Sequence, residues 1–167
     1  MMRRDGVGLS SILIAQNNLA GTYESLGRNE EALELKRDVY SRRLELLGEE
    51  HVDTFTAGTN YAMTLRQLGR YDEVKTLTRK MMPVARRVLG ERDMITLSMR
   101  TYYAQSLYKD NSATLDDLRE AVATLEETTR LSKRVLGNLH PITGGIVGDL
   151  QQSRAMLRYR ETQSRSA

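Results

Sequence analysis

Apolar residues recur along the chain at spacings of three and four, in segments that glycine residues separate. This spacing places apolar side chains on one face of an α-helix. Gly27 and Gly69 follow two such segments, where a left-handed glycine would end a helix, and Gly48, Gly90 and Gly137 follow others. The pattern predicts an all-α protein without strands. Its seven antiparallel helices are expected near residues 9–26, 29–47, 52–68, 71–89, 94–110, 115–136 and 142–160.

Internal repetition groups these helices into pairs. The residues around Gly48 recur around Gly90, 42 positions later, and around Gly137 after a further 47. Self-similarity at such periods is typical of repeat proteins, because one two-helix unit cannot bury its apolar face alone and must stack on the next. The five additional residues of the second interval fall in the polar segment 110–117. The sequence therefore predicts an α-helical solenoid of about three and a half repeats.

A length of 167 residues fits one domain. The expected single domain, 1–167, comprises repeats at about 9–50, 51–92 and 93–139, a polar capping helix at 142–160 and a disordered tail at 161–167. The opening residues align with the end of a repeat, which leaves open a fragment of a longer array. Self-association through the exposed N-terminal repeat face is a further expectation.

Residue size indicates how the helices pack. Small residues are expected at close contacts, namely Ala20, Ala62 and Ala104 in the first helices and Ala32, Val74 and Ala121 in the second. The core of the first unit is predicted to contain Leu19, Leu26, Leu33, Leu35, Val39, Leu46 and Leu47. Pro83 lies inside the fourth helix, so a kink or a break is expected near Met82.

Composition excludes several kinds of site. The chain has no cysteine and only two histidines, His51 and His140, which excludes disulfides, thiolate metal sites and cysteine nucleophiles. The two histidines occupy equivalent turns two repeats apart, too distant to share a metal ion. We therefore expect no catalytic residue, metal or cofactor, and a protein that is not an enzyme. The charge-free stretch 6–23 is too polar to cross a bilayer, so no membrane partner and a cytoplasmic location are predicted.

Basic residue pairs support one alternative function. Lys and Arg number 25 against 22 Asp and Glu. The pairs fall on the second helices, which form the convex side of a solenoid: Lys36-Arg37, Arg42-Arg43, Arg79-Lys80, Arg86-Arg87 and Lys133-Arg134. RNA binding through this arginine-rich face is the alternative. Acidic residues are interspersed, however, and no aromatic series accompanies the pairs as a base-stacking platform would require.

The pattern Leu19-Ala20…Tyr23…Gly27…Ala32 resembles the tetratricopeptide repeat (TPR). The period of 42 and the segments 17–20, 47–54 and 140–143 resemble the longer-helix variant typical of kinesin light chains, over about residues 6–158. The resemblance implies a right-handed superhelical solenoid of antiparallel helix pairs. It also implies a non-catalytic scaffold for protein–protein interaction, with kinesin light chain-like cargo or adaptor binding as one form. Another helical repeat, of the HEAT or armadillo kind, is the alternative architecture.

In that family the first helices line a concave groove that receives a peptide, which in kinesin light chains carries Trp or Tyr flanked by acidic residues. The matching groove residues are Asn17, Thr59, Asn60, Met63, Arg66, Thr101, Tyr102, Gln105 and Lys109, with Gly21, Glu24, Gln67 and Tyr108 beside them. Amides and hydroxyls there would bond a peptide backbone, while Arg66, Lys109 and Arg100 would meet acidic side chains.

Two departures narrow the expected function. Kinesin light chains carry a heptad segment ahead of the repeats that is not found here, so this chain alone is not expected to be a motor subunit. Repeat proteins that hold the carboxylate tail of chaperones use lysines, asparagines and an arginine in the groove, and Asn60 is the only residue of this chain that matches one of them. Binding of a chaperone tail is therefore disfavoured.

Overall fold

The computed structural model describes residues 3–165, and the side chains of residues 8–164. Within these residues the chain is helical and contains no strand, as the sequence predicts. The helices are α1 (Arg3–Ser25), α2 (Asn29–Leu47), α3 (Val52–Gln67), α4 (Tyr71–Val88), α5 (Met94–Tyr108), α6 (Leu115–Leu136) and α7 (Pro141–Arg165). Each helix packs against the next one along the chain, and the pairs stack into an all-α solenoid.

Glycine ends α1 and α3 in the way that the sequence predicts. Gly27 has a φ of 74° and lies in a Schellman motif. The N–H of Arg28 donates to the carbonyl of Tyr23 at 2.8 Å, and the N–H of Gly27 donates to Glu24. Gly69, with a φ of 71°, ends α3 with the same two bonds. Both glycines turn the chain sharply from a first helix into its second helix.

The glycines between repeats adopt a different conformation. Gly48 has φ 81° and ψ 174°, and Gly137 has φ 88° and ψ 167°. This backbone region is essentially restricted to glycine. Because ψ is extended rather than left-handed helical, the chain leaves the second helix in a straight segment before the next repeat begins.

Equivalent side chains cap the first helices of successive repeats. The Nδ1 atom of His51 accepts the N–H of Asp53 at 3.1 Å, and Nδ1 of His140 accepts the N–H of Ile142 at 3.2 Å. Asp93 caps α5 at the corresponding position. Both histidines therefore satisfy otherwise unpaired amide groups at a helix start.

Small residues mark the closest helix contacts, and this prediction is confirmed. The three alanines of the first helices and the corresponding residues of the second helices are all nearly inaccessible to solvent: Ala20, Ala62, Ala104, Ala32, Val74 and Ala121. The largest apolar cluster joins α5, α6 and α7, and includes Tyr103, Leu107, Tyr108, Leu118, Leu125, Ile146 and Leu150.

The predicted core of the first unit is partly wrong. Leu33 and Val39 are buried and Leu35 is half-buried, but the other four leucines are exposed: Leu19, Leu26, Leu46 and Leu47. Leu19 and Leu26 lie on a side of α1 that no described helix covers. Their counterparts in the second repeat, Tyr61 on α3 and Leu68 directly after it, pack in the cluster around Leu33 and Val74. Burial at these positions thus depends on a preceding helix pair.

Two predicted boundaries also need correction. The fourth helix is not broken at Pro83, because α4 continues from Tyr71 to Val88 with Met81 and Ala85 buried beside the proline. Pro83 itself is exposed, so the carbonyl that loses its N–H partner lies where water can replace it. Residues 161–165, expected in a disordered tail, belong to α7, and 166–167 lie outside the described residues. No helix in the described chain is long and apolar enough to cross a membrane.

Candidate peptide groove

The groove is the surface formed by the first helices α1, α3 and α5 together with α7. Its α1–α3 section contains two of the predicted residues, Asn17 and Asn60, both half-buried. Nδ2 of Asn60 donates to Oδ1 of Asn17 at 3.3 Å. Both residues line a pocket of about 160 Å³ and a shallower one of about 420 Å³. The amide groups of Asn17 and Asn60 that do not take part in this bond remain available to a ligand.

A buried ion pair lies at the edge of this section. Nζ of Lys36 contacts Oε1 of Glu24 at 2.5 Å, and the hydroxyl of Thr64 donates to the same oxygen at 2.6 Å. Lys36 is only 4% exposed although it belongs to a second helix. The sequence analysis assigned Lys36 to the convex basic face, since helix periodicity does not show that its ammonium reaches a carboxylate on α1.

Arg66 occupies the α3–α5 section without an acidic partner. Its guanidinium carbon lies 5.3 Å from the ring centroid of Tyr102. Nε of Arg66 is buried and has no hydrogen-bond partner, and no carboxylate in the described chain pairs with the guanidinium. Burial raises the pKa of Tyr102, and the positive charge of Arg66 opposes that rise. Arg66 therefore offers a stacked, incompletely satisfied cation to the groove.

The remaining predicted groove residues lie on α3 and at the end of α5. Thr59 and Met63 are half-buried, and the hydroxyl of Thr59 donates to the carbonyl of Phe55 at 2.8 Å. Nζ of Lys109 lies 5.7 Å from the ring centroid of Tyr108. A second positive charge is thus held near the end of α5, again over an aromatic ring.

Thr101 and Gln105, both predicted as groove residues, are largely buried, although Thr101 still lines a pocket between α5 and α7. Thr101 is 8% exposed, and its hydroxyl donates to the carbonyl of Leu97. Gln105 is 7% exposed, and its Nε2 donates to Oδ2 of Asp149 at 2.7 Å. α7 supplies this acceptor and covers the third-repeat groove helix.

Asp149 is a site residue that the sequence analysis missed. Besides the bond from Gln105, its Oδ1 accepts the hydroxyl of Tyr108 at 2.6 Å. Burial and this bond to a carboxylate raise the pKa of Tyr108, so the phenol stays protonated. A repeat alignment could have found Asp149, because it falls at the position of Asn60 and Tyr102 in the earlier first helices.

Arg100 is not a groove residue, contrary to expectation. It is 5% exposed, and its guanidinium contacts the carboxylates of Glu91 and Glu127. The contact to Glu91, at 2.5 Å, and that to Glu127 join α5 to the preceding turn and to α6. The charge of Arg100 is therefore satisfied within the chain.

Half of the residues in the basic pairs of the second helices form ion pairs with neighbouring carboxylates. Arg43 contacts Asp53 at 2.8 Å, and Arg87 contacts Glu50 at the same distance. Further pairs join Arg42 to Asp38 and Arg86 to Glu91. This arrangement weakens the case for RNA binding, because phosphate contacts would compete with existing ion pairs. Among the described residues no group of three acidic or histidine side chains could hold a metal ion.

Comparison with known proteins agrees with this architecture. A sequence model described as tetratricopeptide repeat matches residues 11–86. The structure is similar to that of the nearly identical TPR-like repeats of a Podosopora anserina kinesin light chain. The TM-score is 0.76 at 23% identity, and the similarity covers 87% of this chain and 67% of that one. BtubC (BKLC) from P. vanneervenii is similar with a TM-score of 0.64 at 19% identity, covering 92% and 63% respectively.

The chain spans about two thirds of the length of these solved structures. No curated protein matches it. The similarities show the fold, a TPR-like α-helical solenoid.

Proposed function

Because the fold is that of a tetratricopeptide-repeat solenoid, we propose that the protein is a non-catalytic interaction scaffold that binds an acidic segment of a partner protein in its groove. TPR solenoids are generally protein-interaction scaffolds. Adaptor or cargo binding of the kinesin light chain kind is the finer form of this proposal. A cytoplasmic location belongs to the same proposal, and fractionation of cells that produce the tagged chain would test it.

The unpaired Arg66 is the observation that carries this proposal. The other deeply placed cations, Lys36 and Arg100, contact carboxylates of the chain itself. Arg66 stacks on Tyr102 but contacts no carboxylate in the described residues, and its Nε lacks an acceptor. A carboxylate from a bound peptide would supply the missing acceptor with the geometry that guanidinium favours.

The amides at the other end of the groove support an extended peptide. Asn17 and Asn60 use one donor and one acceptor in their mutual bond, and an amide side chain has further groups for a peptide backbone. The helices that hold these residues are already formed, so the scaffold loses little conformational entropy on binding. The ordering cost falls mainly on the partner segment.

The test is a screen of acidic peptides on an array, followed by affinity measurement for the best binder. Arg66→Gln should weaken binding about tenfold, because a charge-assisted hydrogen bond is lost. Asn60→Ala and Tyr102→Ala should weaken it by smaller factors. Arg87→Gln is the matched control, since Arg87 lies on a second helix and pairs with Glu50. Equal affinities of wild type, Arg66→Gln and Asn60→Ala would contradict the proposal.

A further inference from the structure

We infer that the groove has a second, oppositely charged subsite: the pocket between α5 and α7 binds a lysine or arginine side chain of the partner segment through Asp149. This inference rests on the proposed function, because it concerns the same groove. It adds a requirement for a basic residue in a partner that also presents an acidic one.

The pocket has the size and walls of a site for one long side chain. Its volume is about 200 Å³. Apolar side chains from both helices and a half-buried tyrosine form its sides, and Asp149 is its one charged lining residue. The apolar part comprises Leu97 on α5 and Ile142 and Ile146 on α7. Such walls suit the methylene stem of lysine or arginine, while the charged end meets a carboxylate.

Asp149 is held in place and lacks a counter-ion. The carboxylate accepts hydrogen bonds from Gln105 at 2.7 Å and Tyr108 at 2.6 Å, one on each oxygen. Each oxygen can accept a further bond. No basic side chain of the described residues forms an ion pair with Asp149, although most other charges of this part of the chain are paired. A ligand cation would therefore meet an anion that is already oriented.

The surroundings of Asp149 increase the attraction for a cation. Oε1 of Gln105 is buried and has no hydrogen-bond donor in the described chain. The ring of Tyr102 lines the same pocket, and aromatic faces attract cations. The carboxylate of Asp149 and the ring of Tyr102 thus line one pocket, and both favour a positive group.

The absence of a side chain at Gly145 keeps the pocket open. Gly145 lines the pocket, and a Cβ atom built there would meet no atom within 4 Å. A side chain at this position would therefore begin in open space at the pocket wall, and a large one would take up pocket volume. Gly144 has equally free surroundings but does not line the pocket. These two glycines provide a matched pair of substitutions.

The groove is consequently dipolar across α5. Arg66 on α3 stacks on the ring of Tyr102, and Asp149 on α7 lines the pocket to which the same ring contributes. A peptide that crosses these helices would meet a cation first and an anion second. The preferred segment would carry an acidic residue toward α3 and a basic residue toward α7, and this order would also fix its direction.

The probes are fluorescent peptides that carry one fixed glutamate and one variable position. The variable position is lysine, norleucine or glutamate, and it is placed at several spacings on either side of the fixed glutamate. Norleucine keeps the apolar stem of lysine without its charge. At one spacing and direction the lysine peptide should bind wild type about tenfold more tightly than its norleucine counterpart. Asp149→Asn should remove this preference and leave the affinity for norleucine unchanged. Asp116→Asn, on the exposed surface of α6, should keep the preference.

Pocket filling gives a second measurement that does not alter Asp149. Gly145→Leu should weaken the lysine peptide about tenfold, whereas Gly144→Leu should not, and both should raise the helix propensity of α7. Circular dichroism verifies the fold of each variant. If Asp149→Asn does not fold, the comparison of Gly145→Leu with Gly144→Leu tests the inference instead. Norleucine binding as tightly as lysine at every spacing would overturn the inference.

The outcomes also separate this inference from the proposed function. Peptide binding that depends on Arg66 but not on Asp149 or Gly145 would overturn the second subsite and leave the interaction function standing. If no peptide in the series binds wild type, both fail.

Discussion

The first and third repeats use the same repeat positions in different environments. Leu19 on α1 is 44% exposed, whereas Tyr103, at the same position on α5, is 5% exposed. Among the described helices α1 packs mainly on α2 and touches α3 through side chains, whereas α5 contacts α3, α4, α6 and α7. The comparison teaches that the number of neighbouring helix pairs, not the residue pattern of one unit, decides how much of a repeat is buried.

The same contrast extends to the groove. Glu24, Arg66 and Tyr108 occupy one repeat position in α1, α3 and α5. Glu24 pairs with Lys36, and Tyr108 donates to Asp149. Arg66, at the same position on α3, forms no ion pair with a carboxylate of the described residues, and its Nε has no hydrogen-bond acceptor. This difference is the reason that the proposed ligand site is placed at Arg66 and not at the two equivalent positions.

Truncation of the two equivalent residues should show the largest difference. Tyr103→Ala removes a buried ring and is expected to lower the free energy of unfolding by about 3–5 kcal/mol, whereas Leu19→Ala should cost less than about 1 kcal/mol. Chemical denaturation of both variants measures these losses. Tyr103→Phe removes only the hydroxyl, which donates to Glu120 and accepts a bond from Arg79, and so separates ring burial from hydrogen bonding. Similar losses at both positions would refute the comparison.

The buried ion pair of the first repeat should give the next largest effect. Glu24→Gln leaves the ammonium of Lys36 buried without a counter-ion and should cost about 3 kcal/mol. Glu24→Leu combined with Lys36→Met should recover most of this loss, because an apolar pair needs no charge compensation. Thr64 would keep its other acceptor, the carbonyl of Asn60.

The second repeat provides the control for this ion pair. Thr78 stands where Lys36 stands in the first repeat, and its hydroxyl donates to its own helix at Val74. Arg66→Leu should therefore change the free energy of unfolding by less than about 1 kcal/mol. Denaturation of all variants in the same buffer gives the comparison, and a loss at Arg66 as large as that at Glu24 would contradict it.

Local features made most of the fold predictable. Gly27 and Gly69 end helices because few other residues adopt a positive φ, and Ala20 and Ala62 mark contacts because larger side chains would separate the helices. These constraints act within a few residues or at every repeat alike. Helix boundaries and the stacking of pairs follow from them, and so does the central groove position of Arg66.

The remaining site features depend on partners that are distant in sequence. Lys36 is buried because Glu24 lies on the neighbouring helix, and Gln105 is buried because Asp149 lies 44 residues later. Helix periodicity shows on which face a residue lies, but it does not show which distant group its side chain contacts. The exposure of Leu19 was also missed, because the residues that would cover it would belong to a preceding helix pair and not to its own repeat.

The turn inside the third repeat differs from those of the first two and should give a smaller, acid-sensitive effect. Glycine is replaced here by a longer loop that side-chain oxygens hold. Asp110 accepts hydrogen bonds from the N–H and the hydroxyl of Ser112. Thr114 and Asp117 form a capping box at the start of α6. These bonds lower the pKa of Asp110 and of Asp117.

Asp117→Asn should lower the free energy of unfolding by about 1 kcal/mol at neutral pH, because the capping carboxylate loses its charge. A carboxyl whose folded pKa is lowered stabilises the protein above its unfolded pKa, about 3.9, and this contribution is lost as pH falls through the folded value. The difference between wild type and Asp117→Asn should therefore shrink below about pH 4. Denaturation at pH 7 and pH 2.5 measures it, with Asp116→Asn, on the exposed side of the same turn, as the control. A difference that stays constant over this range would show that the charge of Asp117 does not stabilise the loop.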